Sequence, residues 1–349
     1  MKSQSIVEYG KPLQELSRET PKPTGSQVLL KVTHCGVCHS DVHIQDGQFD
    51  MGGGRTASLT AGLKLPFIMG HEIEGEVVAL GPNAKGAAIG DHRVVYPWTG
   101  CGECSFCKSG EEFLCDKPSH LGVHIDGGYA DHVIVPHSRY LLDYTGIPDG
   151  LAATYMCSGM TAFGALKKFG ELGSDDKVMI VGLGGLGMMA LQFARAMFAQ
   201  PPIVADIDDS KLQAATKNGA GATYNSKDPG AAKQLMADTG GGVAAVVDFV
   251  GSEASVKFAT RSLRKGGKLV IVGLFGGGLS MPIPLFPLRA ISIMGSAVAS
   301  LEQTHEMLDL VKSGKVAPIP VEERPLSQAN KTLDDLRGGK IVGRVVLKP

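Results

Sequence analysis

The segment Gly36-Val37-Cys38-His39-Ser40-Asp41-Val42-His43 holds a thiol, two imidazoles, a hydroxyl and a carboxylate within eight residues. Thiolates and imidazoles are ligands that zinc favours, and imidazole exchanges protons near neutral pH, so the stretch reads as part of a metal site. Cys38, His39 and His43 do not close such a site alone. A catalytic zinc takes three protein ligands plus one open position, and the other ligands usually come from distant parts of the chain. Gly70-His71-Glu72 offers another imidazole. Taken singly, a His beside a Glu is more often a satisfied polar pair, so His71 gains weight only in company.

Cys101, Cys104, Cys107 and Cys115 follow the pattern CxxCxxCx7C. Four thiolates can wrap one tetrahedral zinc and leave no position for a substrate, so this site should be structural. A [4Fe–4S] cluster uses the same ligand type, but the Cys-Pro that closes bacterial ferredoxin runs is absent, which favours zinc. Reading all four as small buried hydrophobes would require ligand spacing by accident.

The third chemical signal is Gly182-Leu183-Gly184-Gly185-Leu186-Gly187, a GxGxxG that follows the apolar run Lys177-Val178-Met179-Ile180-Val181 and precedes a helical pattern over 188–198. Strand, tight turn and helix are the context in which such glycines cradle a dinucleotide pyrophosphate. Asp206 ends the next apolar run about 20 residues on, where an acid hydrogen-bonds the adenosine ribose and repels a 2′-phosphate. NAD is therefore favoured over NADP.

These residues need scaffolds of two kinds. Up to about residue 143, short β-branched runs such as Val28-Leu29-Leu30-Lys31-Val32-Thr33 and Gly75-Glu76-Val77-Val78-Ala79-Leu80 predict a compact β domain whose loops carry the chemistry. The glycine-rich 46–64 stretch reads either as a loop covering a pocket or as a solvated insertion. From about residue 151, strands alternate with helices at 210–218, 231–238 and 252–263, which predicts a doubly wound parallel sheet complete by Met294. One amphipathic helix over 301–313 then precedes a short strand ending in Gly343-Arg344-Val345-Val346-Leu347, a tail expected to return to the β domain.

The 349 residues, 43% hydrophobic and 20% charged, suffice for two domains with their own cores. A net charge of −1 gives no footprint for nucleic acid or an anionic membrane. Polar residues follow Met1 and no run is apolar enough to span a bilayer, so the expectation is a soluble cytoplasmic protein, where thiols ligate metals rather than form disulfides. Outside the four-cysteine pattern and Cys38, only Cys35 and Cys157 remain. Cys157 lies where the two scaffolds meet, and with Cys38 and His71 it would complete a Cys₂His zinc site with an open position. Cys35 reads as a small buried thiol.

Together these motifs, with the pattern GHExxGxVxxxG over 70–81, resemble the zinc-dependent medium-chain alcohol dehydrogenase family along essentially the whole chain. The resemblance implies a two-domain α/β fold, with a GroES-like β-barrel catalytic domain at 1–156, a Rossmann NAD-binding domain at 157–294 and a 295–349 segment returning to the catalytic domain. It implies two zinc ions per chain, a catalytic one on Cys38, His71 and Cys157 and a structural one on the four-cysteine lobe. Ser40 would bond the substrate oxygen and open a proton relay ending at His43, and Glu72 would sit behind the zinc. Asp41 would orient His71, while His39, Lys211 and Arg344 would contact the cofactor with the glycine turn and Asp206. The implied reaction is reversible oxidation of a small-molecule alcohol to an aldehyde or ketone with hydride transfer to NAD, in a homotetramer or alternatively a dimer.

The span from Cys38 to His71 is longer than in yeast-type relatives, and the extra residues fall in the glycine-rich stretch. A wider pocket for medium-chain, cyclic or aryl alcohols is therefore expected. Rival readings are a polyol dehydrogenase, which tends to carry Glu at the Cys157 position, and a zinc-independent quinone or enoyl reductase. A redox-sensing or lens-type structural protein is the alternative of another class.

Overall fold

Among the described residues, β-branched runs broken by glycine turns build two large sheets of different kinds, beside two two-stranded ones. The computed structural model describes residues 1–60 and 62–349; Ala61, within the glycine-rich 46–64 stretch, lies outside the described residues. The first sheet has seven strands. Its path runs Val321–Pro325, Arg344–Lys348, Val28–Gly36, Glu72–Leu80, His92–Val95 and Leu141–Leu142, with His132–Val135 also paired to Val28–Gly36. The last strand joins it antiparallel, with Val346 opposite Gly36 and Leu347 opposite Cys35, so Arg344 enters beside the segment that leads to Cys38.

The second sheet has six strands in the order Ala222–Asn225, Ile203–Asp206, Val178–Val181, Val243–Asp248, Leu263–Ile271 and Ser292–Gly295. Every neighbouring pair is parallel. In chain order this is 3-2-1-4-5-6, the doubly wound arrangement whose ligand crevice opens at the carboxyl ends where the winding reverses. The edge strand Ala222–Asn225 went unread in the sequence because all four of its residues are only half-buried, which leaves neither an apolar run nor an alternation. A continuous helical run over 151–167 carries the chain between the sheets, widening to a π-helical turn at Tyr155–Gly159.

One expectation changes. The sequence puts the chemistry of the β domain in loops, whereas the residues after Cys38 form the helix His39–Asp46. The Asp41 carboxylate accepts the Cys38 N–H at 2.8 Å, and Gly47 closes the other end in the left-handed region, where glycine carries no Cβ penalty. Val42 and Ile44 bury this short helix against the β core, each contributing about 1.5–3 kcal/mol. Two turns with two apolar anchors carry too little periodicity to read from sequence. A second helix, Ala329–Arg337, also follows 301–312 before the final strand. Among the described residues no helix is long and apolar enough to cross a membrane.

Candidate active site

Strand Val28–Gly36 ends where only glycine fits: a Cβ on Gly36 would stand 1.9 Å from Glu72 Oε2. Two residues later Cys38 turns its thiol toward Cys157, with the sulfurs 3.8 Å apart. His71 immediately precedes strand Glu72–Leu80, and the donor atoms of Cys38, His71 and Cys157 all lie within 4.8 Å of one another, on buried residues. Zinc–sulfur bonds of about 2.3 Å give a tetrahedron an edge of about 3.8 Å, so the sulfur spacing fits zinc. Both buried ring nitrogens of His71 lack a hydrogen-bond partner; Nδ1 faces Asp41 Oδ1 at 3.2 Å, which leaves Nε2 as the nitrogen available to a metal. Asp41 is itself fixed by the Cys38 N–H and by the Tyr129 hydroxyl at 3.1 Å. A hydrogen bond from Cys157 holds the Cys38 thiol well below its usual pKa against the opposing effect of burial, and His71 and Arg344 add positive charge.

Behind these three residues lies a buried ion pair. The Arg344 guanidinium meets the Glu72 carboxylate and the Ser158 hydroxyl, and donates to Val37 O at 2.9 Å. Ser158 in turn donates to Glu72 Oε1 at 2.9 Å. Burial pushes the Glu72 carboxyl up to about 7 against the opposing charge of Arg344.

Ser40 and His43 stand one turn apart on helix His39–Asp46. Ser40 borders the cleft, and the half-buried His43 ring lies 4.6 Å from Phe49. Burial, aided by the charge of His39, pushes the His43 pKa below its usual value, which keeps the imidazole neutral at pH 7. His39 is exposed at the first position of the helix.

The dinucleotide turn joins strand Val178–Val181 to helix Gly185–Met197. Gly182 has φ +89°, and a Cβ on Gly187 would come within 1.8 Å of Gly182 O, so both positions require glycine. Gly184 faces open space, which leaves its backbone accessible to a phosphate at the helix N-terminus. Asp206 accepts the Leu183 N–H at 2.6 Å, tying the end of the second strand to the turn, and a carboxylate retains lone pairs for ribose hydroxyls. Lys211 lies exposed on the following helix Asp209–Lys217. Arg344 is buried rather than solvated, and its Cδ would meet a Cβ on Gly185 at 2.9 Å, so it touches the turn from behind.

A cleft of about 980 Å³ joins these parts. Cys38, Ser40 and Cys157 border it on one side, and Leu186 with residues 271–274 borders it on the other. Phe49, Leu59 and Trp98 also line it, and the sequence marked none of them. Phe49 lies on the first strand of a hairpin, Gln48–Asp50 with Thr56–Ser58, inside the glycine-rich stretch. Trp98 donates to Met156 O at 3.3 Å, beside Cys157, and its ring lies 5.5 Å from that of His71. A lone aromatic residue carries no sequence signal of this kind.

The four remaining ligand candidates sit in a separate lobe. Sulfur pairs there are 3.9 Å (Cys101–Cys107), 3.5 Å (Cys104–Cys107) and 3.8 Å (Cys104–Cys115), again near the edge of a zinc tetrahedron. All seven cysteines are free of disulfides. Cys35 is fully buried beside Gly70 and Gly128.

The alcohol dehydrogenase GroES-like domain family matches residues 24–149, and the zinc-binding dehydrogenase family matches residues 185–313. The chain is 39% identical over 350 residues to a protein named NAD-dependent alcohol dehydrogenase from Sulfurisphaera tokodaii, covering 100% of both chains. It is also 39% identical over 352 residues to a protein of that name from Saccharolobus solfataricus, again covering 100% of both. Among solved structures, the alcohol dehydrogenase of Aeropyrum pernix matches with a TM-score of 0.89 at 31% identity, covering 100% of each chain. Full-length likeness of this degree, on a GroES-like domain joined to a Rossmann sheet, establishes that the chain belongs to the zinc-type medium-chain alcohol dehydrogenase family.

Proposed function

We propose that the protein oxidises an alcohol reversibly to an aldehyde or ketone, with NAD as hydride acceptor, in the cleft between the two sheets. One observation carries this reading: two thiols and an unpartnered imidazole nitrogen converge at zinc-ligand spacing beside a cleft that also touches the dinucleotide turn. Zinc held by Cys38, His71 and Cys157 would supply a Lewis acid that lowers the pKa of an alcohol hydroxyl, and NAD would supply the acceptor for hydride.

The chain's own residues then bind, orient and move a proton. Ser40 Oγ accepts the substrate proton and passes it toward His43, whose neutral ring is the base that can release it to solvent. Asp41 orients the His71 ring, as carboxylates behind metal-bound histidines do, and Glu72 places a carboxylate behind the ligands. Backbone N–H groups around Gly182, Gly184, Gly185, Leu186 and Gly187 take the pyrophosphate, with His39 lying against it and Arg344 packed behind the turn. Asp206 takes the adenosine ribose hydroxyls beside Lys211. Cys101, Cys104, Cys107 and Cys115 hold a second zinc that stiffens their lobe without entering the chemistry.

We read 1–156 as the catalytic domain, 157–294 as the cofactor domain and 295–349 as a return segment, with the first boundary inside the helical run 151–167. The same reading includes a cytoplasmic homotetramer, or alternatively a dimer. Phe49 and Leu59 on the cleft wall support acceptance of medium-chain, cyclic or aryl alcohols. Steady-state kinetics with NAD on ethanol, hexanol, cyclohexanol and benzyl alcohol, with and without zinc chelation, test the reading. NADH should form with the larger alcohols and stop on chelation. A clear ethanol preference contradicts the pocket assignment, and no NAD reduction with any alcohol contradicts the function.

A further inference from the structure

Arg344, Glu72 and Ser158 form one buried knot whose contacts fall one residue outside each ligand. Val37 precedes Cys38, Glu72 follows His71 and Ser158 follows Cys157. The guanidinium reaches all three segments, at Val37 O, the Glu72 carboxylate and the Ser158 hydroxyl. The hydroxyl accepts from Arg344 and donates its one proton to Glu72 Oε1, which also takes the Ser158 N–H at 3.4 Å. Ser158 is 0% exposed and lies in the π-helical turn Tyr155–Gly159 that presents Cys157. Such single widened turns in a helix occur where a side chain must be aimed.

We propose that Ser158 is a positioning residue that, with Glu72 and Arg344, clamps the segments bearing Cys38, His71 and Cys157 into zinc-ligand geometry. The proposal rests on the reading of those three residues as zinc ligands. Because Arg344 also packs behind Gly185, the clamp joins the ligand segments to the turn that takes the cofactor. A glutamate, an arginine and a serine at these spacings have no common sequence pattern. Only the fold brings them together.

The test is zinc affinity by competition with a chromophoric chelator on the full-length protein, using the four-cysteine lobe as internal control. Ser158→Ala should weaken one of the two zinc sites by about 10–100-fold, the usual cost of removing a group that orients a ligand. The lobe zinc should be unaffected. Cobalt substitution should show altered absorption for the site that Cys38→Ser abolishes. Ser158→Thr, which keeps the hydroxyl, should restore most of the affinity. Ser158→Ala with wild-type affinity at both sites, loss of both metals together, or a Thr variant as weak as the Ala variant would each overturn the clamp. A wild-type chain holding one zinc, unchanged by Cys38→Ser, would instead remove the zinc reading and the clamp with it.

Discussion

The two cysteine clusters reach similar sulfur spacing by opposite routes. The lobe over 101–115 draws four candidate ligands from one short stretch, leaves Cys101 exposed and fixes its sulfurs with neighbouring backbone, for example Lys117 N–H on Cys115 Sγ at 3.3 Å. Cys38, His71 and Cys157 come from three distant segments and are buried, with Asp41 bracing the first two and the Arg344 knot bracing all three. Where ligands are local, the metal itself can supply the order that a small lobe lacks. Where they are distant, the fold must hold them in place before the metal arrives, and buried polar groups must then satisfy one another. Cys38 and Cys157 of the second arrangement border a cleft, so a zinc held there would keep a coordination position open to a substrate.

Exchanging a ligand in each cluster should break the symmetry. Cys157→Ser should lower kcat/KM by about 10³-fold or more, because Lewis-acid stabilisation is worth several kcal/mol, while circular dichroism stays native. His43→Gln, which leaves both clusters intact, should cost about 10²-fold in kcat by removing the neutral base. In the wild type, activity should be present above the depressed His43 pKa and fall as acid protonates the ring, and the variant should lose that acid limb. A pH–rate profile of both proteins checks this. The smallest effect on turnover belongs to Cys104→Ser, which should leave kcat at 25 °C near wild type. It should lower the Tm by roughly 10 °C through loss of a few kcal/mol of metal-linked folding energy. If Cys157→Ser and Cys104→Ser lower activity alike, the division between the clusters fails.

The same contrast explains what could be read from the chain. The lobe is legible because four cysteines at fixed local spacing are a pattern in one dimension. So is the glycine turn with Asp206, since strand, turn and helix are contiguous. The triad needed His71 and Cys157 to be brought in from afar, and only the meeting of two scaffolds and the family resemblance suggested them. The helix His39–Asp46 was hidden because its ends are set by the Asp41 side chain and Gly47 rather than by periodicity. The burial of Arg344 depends on strand Arg344–Lys348 docking beside Val28–Gly36, a pairing across almost the full chain length. Ser158, Phe49 and Trp98 acquire their places only through such long-range packing.

Anomalous diffraction at the zinc edge from crystals of the wild-type protein tests the central assignment most directly. Two peaks per chain are expected, one inside the four-cysteine lobe and one about 2.3 Å from the sulfurs of Cys38 and Cys157 and about 2.0–2.1 Å from His71 Nε2. A peak in the lobe alone, with none among Cys38, His71 and Cys157, would contradict the assignment of this cleft as a zinc-dependent active site.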